Sequence, residues 1–171
     1  MTTSLVVPNM KRIILALVLF TLVFVSCSSD SVNGVWVLTE WNVNNGFDIN
    51  NDGIINTNIL NEIECVNNET LVFDSKGVVT SNNTFNPSID IVLVNGTSNN
   101  YVFNVECDEE GVISFATTYT INGNEVLISD RVATVNGNKL SRVFVDAIKI
   151  YNEDLTEIIA SKDLTLVYTK Q

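Results

Sequence analysis

The chain has no histidine. That excludes a histidine-based catalytic triad and any zinc site with imidazole ligands. Basic residues are scarce: 9 Lys and Arg stand against 20 Asp and Glu, for a formal net charge of −11. They form no cluster that could neutralise phosphates, so nucleic-acid binding is excluded. The sequence holds only 2 prolines, and it has neither a G-x-S-x-G elbow nor a glycine-rich phosphate loop. No repeat of about 20–50 residues recurs. The longest apolar run, Ile13 to Val25, is interrupted by Thr21. It falls short of the ~20 residues that a membrane-spanning helix needs.

What that run does fit is the apolar core of a signal peptide. Met10-Lys11-Arg12 supplies the positive flank before it, and Val25-Ser26-Cys27 closes it. The chain then turns polar through Ser28, Ser29, Asp30 and Ser31. The pattern resembles a bacterial lipoprotein signal, with Phe24 where leucine is usual. The resemblance implies cleavage before Cys27 and lipidation of Cys27 as the mature N-terminus. Residues 1–26 are then the signal peptide, with translation expected to start at Met10, and residues 27–33 are a short lipidated tether. Asp30-Ser31-Val32 resembles the O-glycosylation motif of Bacteroidetes. Surface-export tethers of that type carry several acids after the cysteine, and here there is Asp30 alone. The expected location is therefore the outer membrane of the cell envelope, its periplasmic face slightly favoured over the cell surface.

Removing 26 of the 171 residues leaves 145, and because Lys11 and Arg12 go while no acid goes, the formal charge moves from −11 to −13. That length suits one domain, here residues 34–171. Of the 3 cysteines, Cys65 and Cys107 remain unlipidated. An even pair in an exported protein reads as a disulfide, the alternatives being a buried free pair or metal ligation.

The mature region alternates with a period of two. Ile113, Phe115, Thr117, Tyr119 and Ile121 share one face, as do Tyr101, Phe103 and Val105, and Ile89, Ile91 and Leu93. Such alternation of β-branched and aromatic residues predicts half-buried strands. Asn122-Gly123 and Asn136-Gly137 suit two-residue hairpin turns, because both positions tolerate φ > 0. Lys76-Gly77 and Asn95-Gly96 mark further turns. About nine short strands in succession predict an all-β fold, an antiparallel up-and-down β-barrel; an immunoglobulin-like β-sandwich is the alternative. One short helix is expected near 58–64, with Ile59, Leu60 and Ile63 facing inward.

Gly34-Val35-Trp36 opens the first strand as G-x-W, and Leu164 to Lys170 closes the last. With Thr118 to Asn124, these segments resemble lipocalins and lipocalin-like bacterial lipoproteins over Gly34–Lys170. The resemblance implies a barrel signature at Gly34 and Trp36, and a basic partner for that tryptophan on the last strand, where Lys170 is available. It also implies binding of a small apolar ligand in the barrel, or of a partner protein at the loops. A filled barrel acting as a structural or accessory envelope protein is the other reading.

Asp48, Asn50 and Asp52, then Gly53, then the Ile54 carbonyl, resemble the first half of an EF-hand calcium loop. Alternate short side chains can converge oxygens on one ion while glycine makes the turn. Asn56 would add a direct or water-mediated ligand. Ile59 stands at the twelfth position, so Glu62 would have to swing in. A Ca²⁺ held this way is expected to be structural and weakly bound, in the ~10⁻⁴–10⁻³ M range; the other reading is a plain Asn/Asp-rich turn. Enzymatic activity is not expected. Glu106, Asp108, Glu109 and Glu110 could in principle supply a carboxylate pair for hydrolysis, but a crowded acidic turn is usually solvated.

Overall fold

A computed structural model describes residues 32–107 and 114–171. The expected leader, the expected lipidation site Cys27, Asp30, Asp108, Glu109, Glu110 and Ile113 lie outside the described residues.

Eleven strands are present among the described residues: β1 (Gly34–Phe47), β2 (Asn56–Asn58), β3 (Thr70–Phe73), β4 (Val78–Asn82), β5 (Ser88–Leu93), β6 (Tyr101–Glu106), β7 (Phe115–Asn122), β8 (Glu125–Ile128), β9 (Arg131–Asn136), β10 (Lys139–Tyr151) and β11 (Ile158–Lys170). Eight of them, in the order β1-β3-β4-β7-β8-β9-β10-β11, form an antiparallel meander that closes where β11 returns to β1. The fold is the up-and-down barrel, and the sandwich alternative is set aside. Closure satisfies the backbone edges that an open sheet would expose.

Two pieces stand off this ring. β2 adds to β1, and the β5–β6 hairpin joins the upper end of β10 through a parallel pairing of Ile91 with Ile150 and Val92 with Tyr151. Sequence alternation gave no sign of this parallel junction. It is fixed by burial, since Ile91 and Ile150 are both core residues.

The register stacks the barrel interior in layers. At the base Trp36 lies opposite Lys170 and Leu71. Above it come Leu38, Tyr168 and Leu140; then Trp41, Leu166, Arg142 and Ala133; then Val43, Leu164 and Phe144. A register shift between Leu38 and Glu40 lies between the second and third layers. Such a bulge changes which residues of the strand face inward. The lower layers are packed: Trp36, Leu71, Phe73, Val79, Leu140 and Tyr168 are at most 2% exposed.

The expected helix at 58–64 is corrected to a single 3-10 turn, Ile59–Asn61. Asn58 is still paired with β1, and its Oδ1 accepts hydrogen bonds from Trp41 N and Leu60 N. The Glu62 N–H then bonds Ile59 O and ends the turn. Ile59 and Ile63 are nonetheless buried, and Leu60 packs against the core.

Two turns also move by one residue. Asn122 and Asn136 stay in their strands, opposite Glu125 and Lys139, and the loops are Gly123-Asn124 and Gly137-Asn138. Only the glycine of each pair takes φ > 0, at 63° and 60°. Glycine at the first loop position is what one of the two common tight hairpin turns requires.

Candidate functional site

The two ends of the barrel differ. The base is shut by Trp36, whose indole Nε1 donates to Val32 O at 2.8 Å. Phe73 meets the ring edge-on at 6.4 Å, and Lys170 Nζ lies 5.5 Å from the ring centre. Gly34 takes φ 128°, and a Cβ there would come within 3.3 Å of Lys170 Cε. The tight start of β1 therefore favours glycine. Tyr119 OH ties the base down further, donating to Asn33 Oδ1 and to Asp74 O.

The opposite end carries the sequence-predicted loop. Asp48 accepts from Asp52 N and Gly53 N at 3.0 Å, Asn50 Oδ1 accepts from Asp52 N, and Asp52 Oδ1 accepts from Ile54 N. Glu62 does turn toward the loop. Its buried carboxylate accepts from Ile49 N at 2.9 Å, from Asn50 N at 3.3 Å and from Asn56 Nδ2. Asp48, Asn50, Asp52, Asn56 and Glu62 thus belong to one hydrogen-bonded rim loop. In it, carboxylate and amide oxygens hold the backbone N–H groups of a tight turn. Among the described residues, no three His, Cys, Asp or Glu side chains gather as a metal-binding group. Ile54 and Ile55 stand out from the loop at 60% and 68% exposed.

Beside the loop lies a cleft of about 610 Å³ lined by Phe47, Asp48, Asn51, Tyr101, Phe103 and Lys162, among others. Its floor is aromatic: Phe47 meets Tyr101 and Phe103 edge-on at 5.4 and 5.6 Å. Lys162 Nζ sits 4.2 Å from the Phe47 ring centre and donates to Asn44 O at 3.1 Å. Burial lowers the pKa of its ammonium from the ordinary lysine value. The Cys65–Cys107 disulfide links the segment after the rim loop to the end of β6, the strand that brings Tyr101 and Phe103 to the cleft.

Sequence reasoning missed a polar group inside the barrel. Glu69 is 4% exposed. It accepts from Tyr168 OH at 2.6 Å and from Phe85 N at 2.8 Å, with the Arg142 guanidinium adding a favourable charge. Burial outweighs these and pushes its carboxyl above the ordinary range. The same burial, with the carboxylate beside it, pushes the Tyr168 phenol up. The signal was available: Glu69 precedes Leu71 and Phe73 at period two, which puts an acid on the inward face.

A testable consequence follows from the sign. A carboxyl whose folded-state pKa is raised contributes fully below its unfolded value, and the contribution is lost as pH rises through the folded value. Glu69→Gln removes this titration. The melting temperature of the native chain minus that of the variant is expected to fall as pH rises from about 4 to about 8. A difference that stays flat with pH would mean Glu69 is not protonated more readily when folded.

Of the four acids considered as hydrolase candidates, Glu106 is described, and it is exposed at the end of β6. The buried carboxylates Glu62 and Glu69 are held by separate sets of donors.

No family model, no curated protein and no solved structure matches the chain.

Proposed function

We propose that the protein is a lipid-anchored lipoprotein of the bacterial outer membrane whose barrel carries a small-molecule binding site at its rim. The observation that carries the reading is the cleft of about 610 Å³ with its floor of Phe47, Tyr101 and Phe103. Concave sites with apolar walls and a few convergent polar groups are where small ligands bind. The ligand has an apolar face for the rings and polar substituents for the Asn51 and Asp48 side. The packed lower interior argues against a large apolar guest deep in the barrel and supports a reading in which the ligand sits at the rim. The lipocalin-like reading is supported by G-x-W at Gly34–Trp36 and by Lys170 over the Trp36 ring. The anchor rests on the sequence at Cys27 and on the polar tether after it.

A second reading concerns the rim loop. The Glu62 carboxylate, turned toward the backbone and side chains of the Asp48–Asn56 segment, favours a structural calcium ion there. Asp48, Asn50, Asp52, the Ile54 carbonyl, Asn56 and Glu62 would supply oxygens, and the ion would stiffen one wall of the cleft.

One experiment addresses both. The full chain is titrated with anilinonaphthalene sulfonate, an aromatic amphipathic probe, with and without millimolar calcium. Saturable fluorescence that Tyr101→Ala weakens by about tenfold or more is expected, since losing one aromatic wall is worth on the order of 1.4 kcal/mol. Val143→Ser, on the outer face, should leave binding unchanged. Probe binding that ignores Tyr101→Ala would overturn the rim site in favour of a filled, structural barrel. Calcium that raises the melting temperature of the native chain, but not of Asp48→Ala, would establish the ion. No shift would leave a plain Asn/Asp-rich loop.

A further inference from the structure

The sequence carries three arginines, at positions 12, 131 and 142. The two in the described residues share the inner face of the barrel and one aromatic ring. Arg131 Cζ lies 4.9 Å and Arg142 Cζ 5.2 Å from the centre of the Phe144 ring. Arg142 follows Leu140, and Arg131 precedes Ala133 and Val135, all of them buried, so period two turns both arginines inward. Arg131 is exposed at the rim and Arg142 is half-buried below it.

Two donors at this depth have no acceptor. The Trp41 indole Nε1 and the Arg142 Nε are both buried, and neither has a hydrogen-bond partner. Trp41 is 8% exposed. The register places the two in one cross-strand row, on opposite sides of Leu166. Strand spacing puts their backbones about 10 Å apart, within convergence range of two long side chains over Leu166. A buried N–H without a partner costs about 1–3 kcal/mol, and two in one layer call for an acceptor. Glu69 is not that acceptor: its oxygens receive Tyr168 OH and Phe85 N, and neither of the two donors bonds it.

We propose that the upper interior of the barrel is a carboxylate-binding site, in which Arg131 and Arg142 flank Phe144 and, with the Trp41 indole N–H, take the carboxylate of a small organic acid. A guanidinium fork matches the two oxygens of a carboxylate, and the indole N–H supplies a further donor. A carboxylate on a carbon body is favoured over inorganic phosphate because the Phe144 ring lies against both guanidinium groups and gives that body an apolar face. The neighbouring row of Val43, Leu164 and Phe144 offers an apolar seat for the body of the acid. The site stands apart from the rim cleft and does not depend on a ligand there.

The test uses benzoate as the carboxylate, benzyl alcohol as its neutral counterpart, and inorganic phosphate, each titrated into the nitrogen-15-labelled full chain. Only 2 tryptophans exist, so the two indole N–H resonances are resolvable reporters. Trp36 Nε1 already donates to Val32 O and serves as the internal control. The expected result is a saturable shift of the Trp41 indole resonance with benzoate, with the Trp36 resonance still. Benzyl alcohol should have no such effect. Arg142→Lys, which keeps the charge but loses the fork, should weaken benzoate about tenfold, and Trp41→Phe, which keeps a ring but loses the donor, by a similar factor, read in that variant from the backbone amide resonances of Arg142 and Phe144. A native-like spectrum of each variant shows that it has folded. Benzyl alcohol acting like benzoate, unchanged affinity in both variants, or no saturation below about 10 mM benzoate would each overturn the proposal. Phosphate saturating in place of benzoate would overturn the carboxylate class.

Discussion

Trp36→Ala is expected to destabilise the barrel by about 3–5 kcal/mol. The ring is 1% exposed, packs edge-on to Phe73 and lies beneath Lys170. Removing it opens a cavity at the layer where β1, β3 and β11 meet. It also leaves Val32 O without the indole donor, so the segment entering β1 loses its hold. The check is a urea midpoint with its slope, compared with Trp36→Phe. The phenylalanine variant fills most of the volume and should lose less, because it forfeits mainly the hydrogen bond and part of the ring. A loss under about 1 kcal/mol for the alanine variant would mean that this ring does not close the base.

The second large effect belongs to the disulfide. Replacing Cys65 and Cys107 together by serine is expected to cost about 2–4 kcal/mol, the usual range for a bridge of this kind. The bridge spans 42 positions, for which chain entropy alone allows about 4 kcal/mol. The β5–β6 hairpin gives a further reason. Its backbone attachment to the barrel is the two-residue parallel pairing with β10, so the bridge is a covalent restraint on the strand carrying Tyr101 and Phe103. The double variant should therefore show a lower denaturant midpoint and faster amide exchange in β6 than in β1. Reduced native protein should fall to the same midpoint. An unfolding free energy within about 0.5 kcal/mol of the oxidised native chain would count against the restraint.

Sequence periodicity anticipated the barrel because each of its strands buries one face, and that leaves a period-two record. Tyr119, Val126, Ile128, Ala133 and Leu140 all follow it. G-x-W marked the base for a comparable reason: Gly34 is held at a positive φ, and the ring two residues later fills the layer. Three features escaped. The helix at 58–64 was mistaken because the spacing of Ile59, Leu60 and Ile63 suits a helical face, while the side chain of Asn58 and the pairing with β1 allow just one turn. The β5–β6 hairpin alternates like any barrel strand, so nothing local says that it joins β10 in parallel. Trp41 was hidden by the bulge. Trp36 and Leu38 set an even inward phase, and the shift before Glu40 turns the odd residues Trp41 and Val43 inward instead. The sequence points to a loop of Asp and Asn with Glu62 turned toward it, and the hydrogen bonds of Glu62 to Ile49, Asn50 and Asn56 lie there; the aromatic floor beside it is assembled from β1 and β6, and no local pattern links them.

The pairing of β11 with both β1 and β10 has a kinetic side. β1 and β11 meet across more than a hundred residues, so the ring cannot shut until its final strand is available. Contacts of such separation must pay for loop closure before they stabilise anything, which makes barrels of this kind slow folders, on the order of milliseconds to seconds. Until then β1 and β10 each present an unpaired edge to whatever is nearby. A polypeptide emerging into a crowded compartment is exposed to misassembly through that whole interval, and β11 is the piece that ends it.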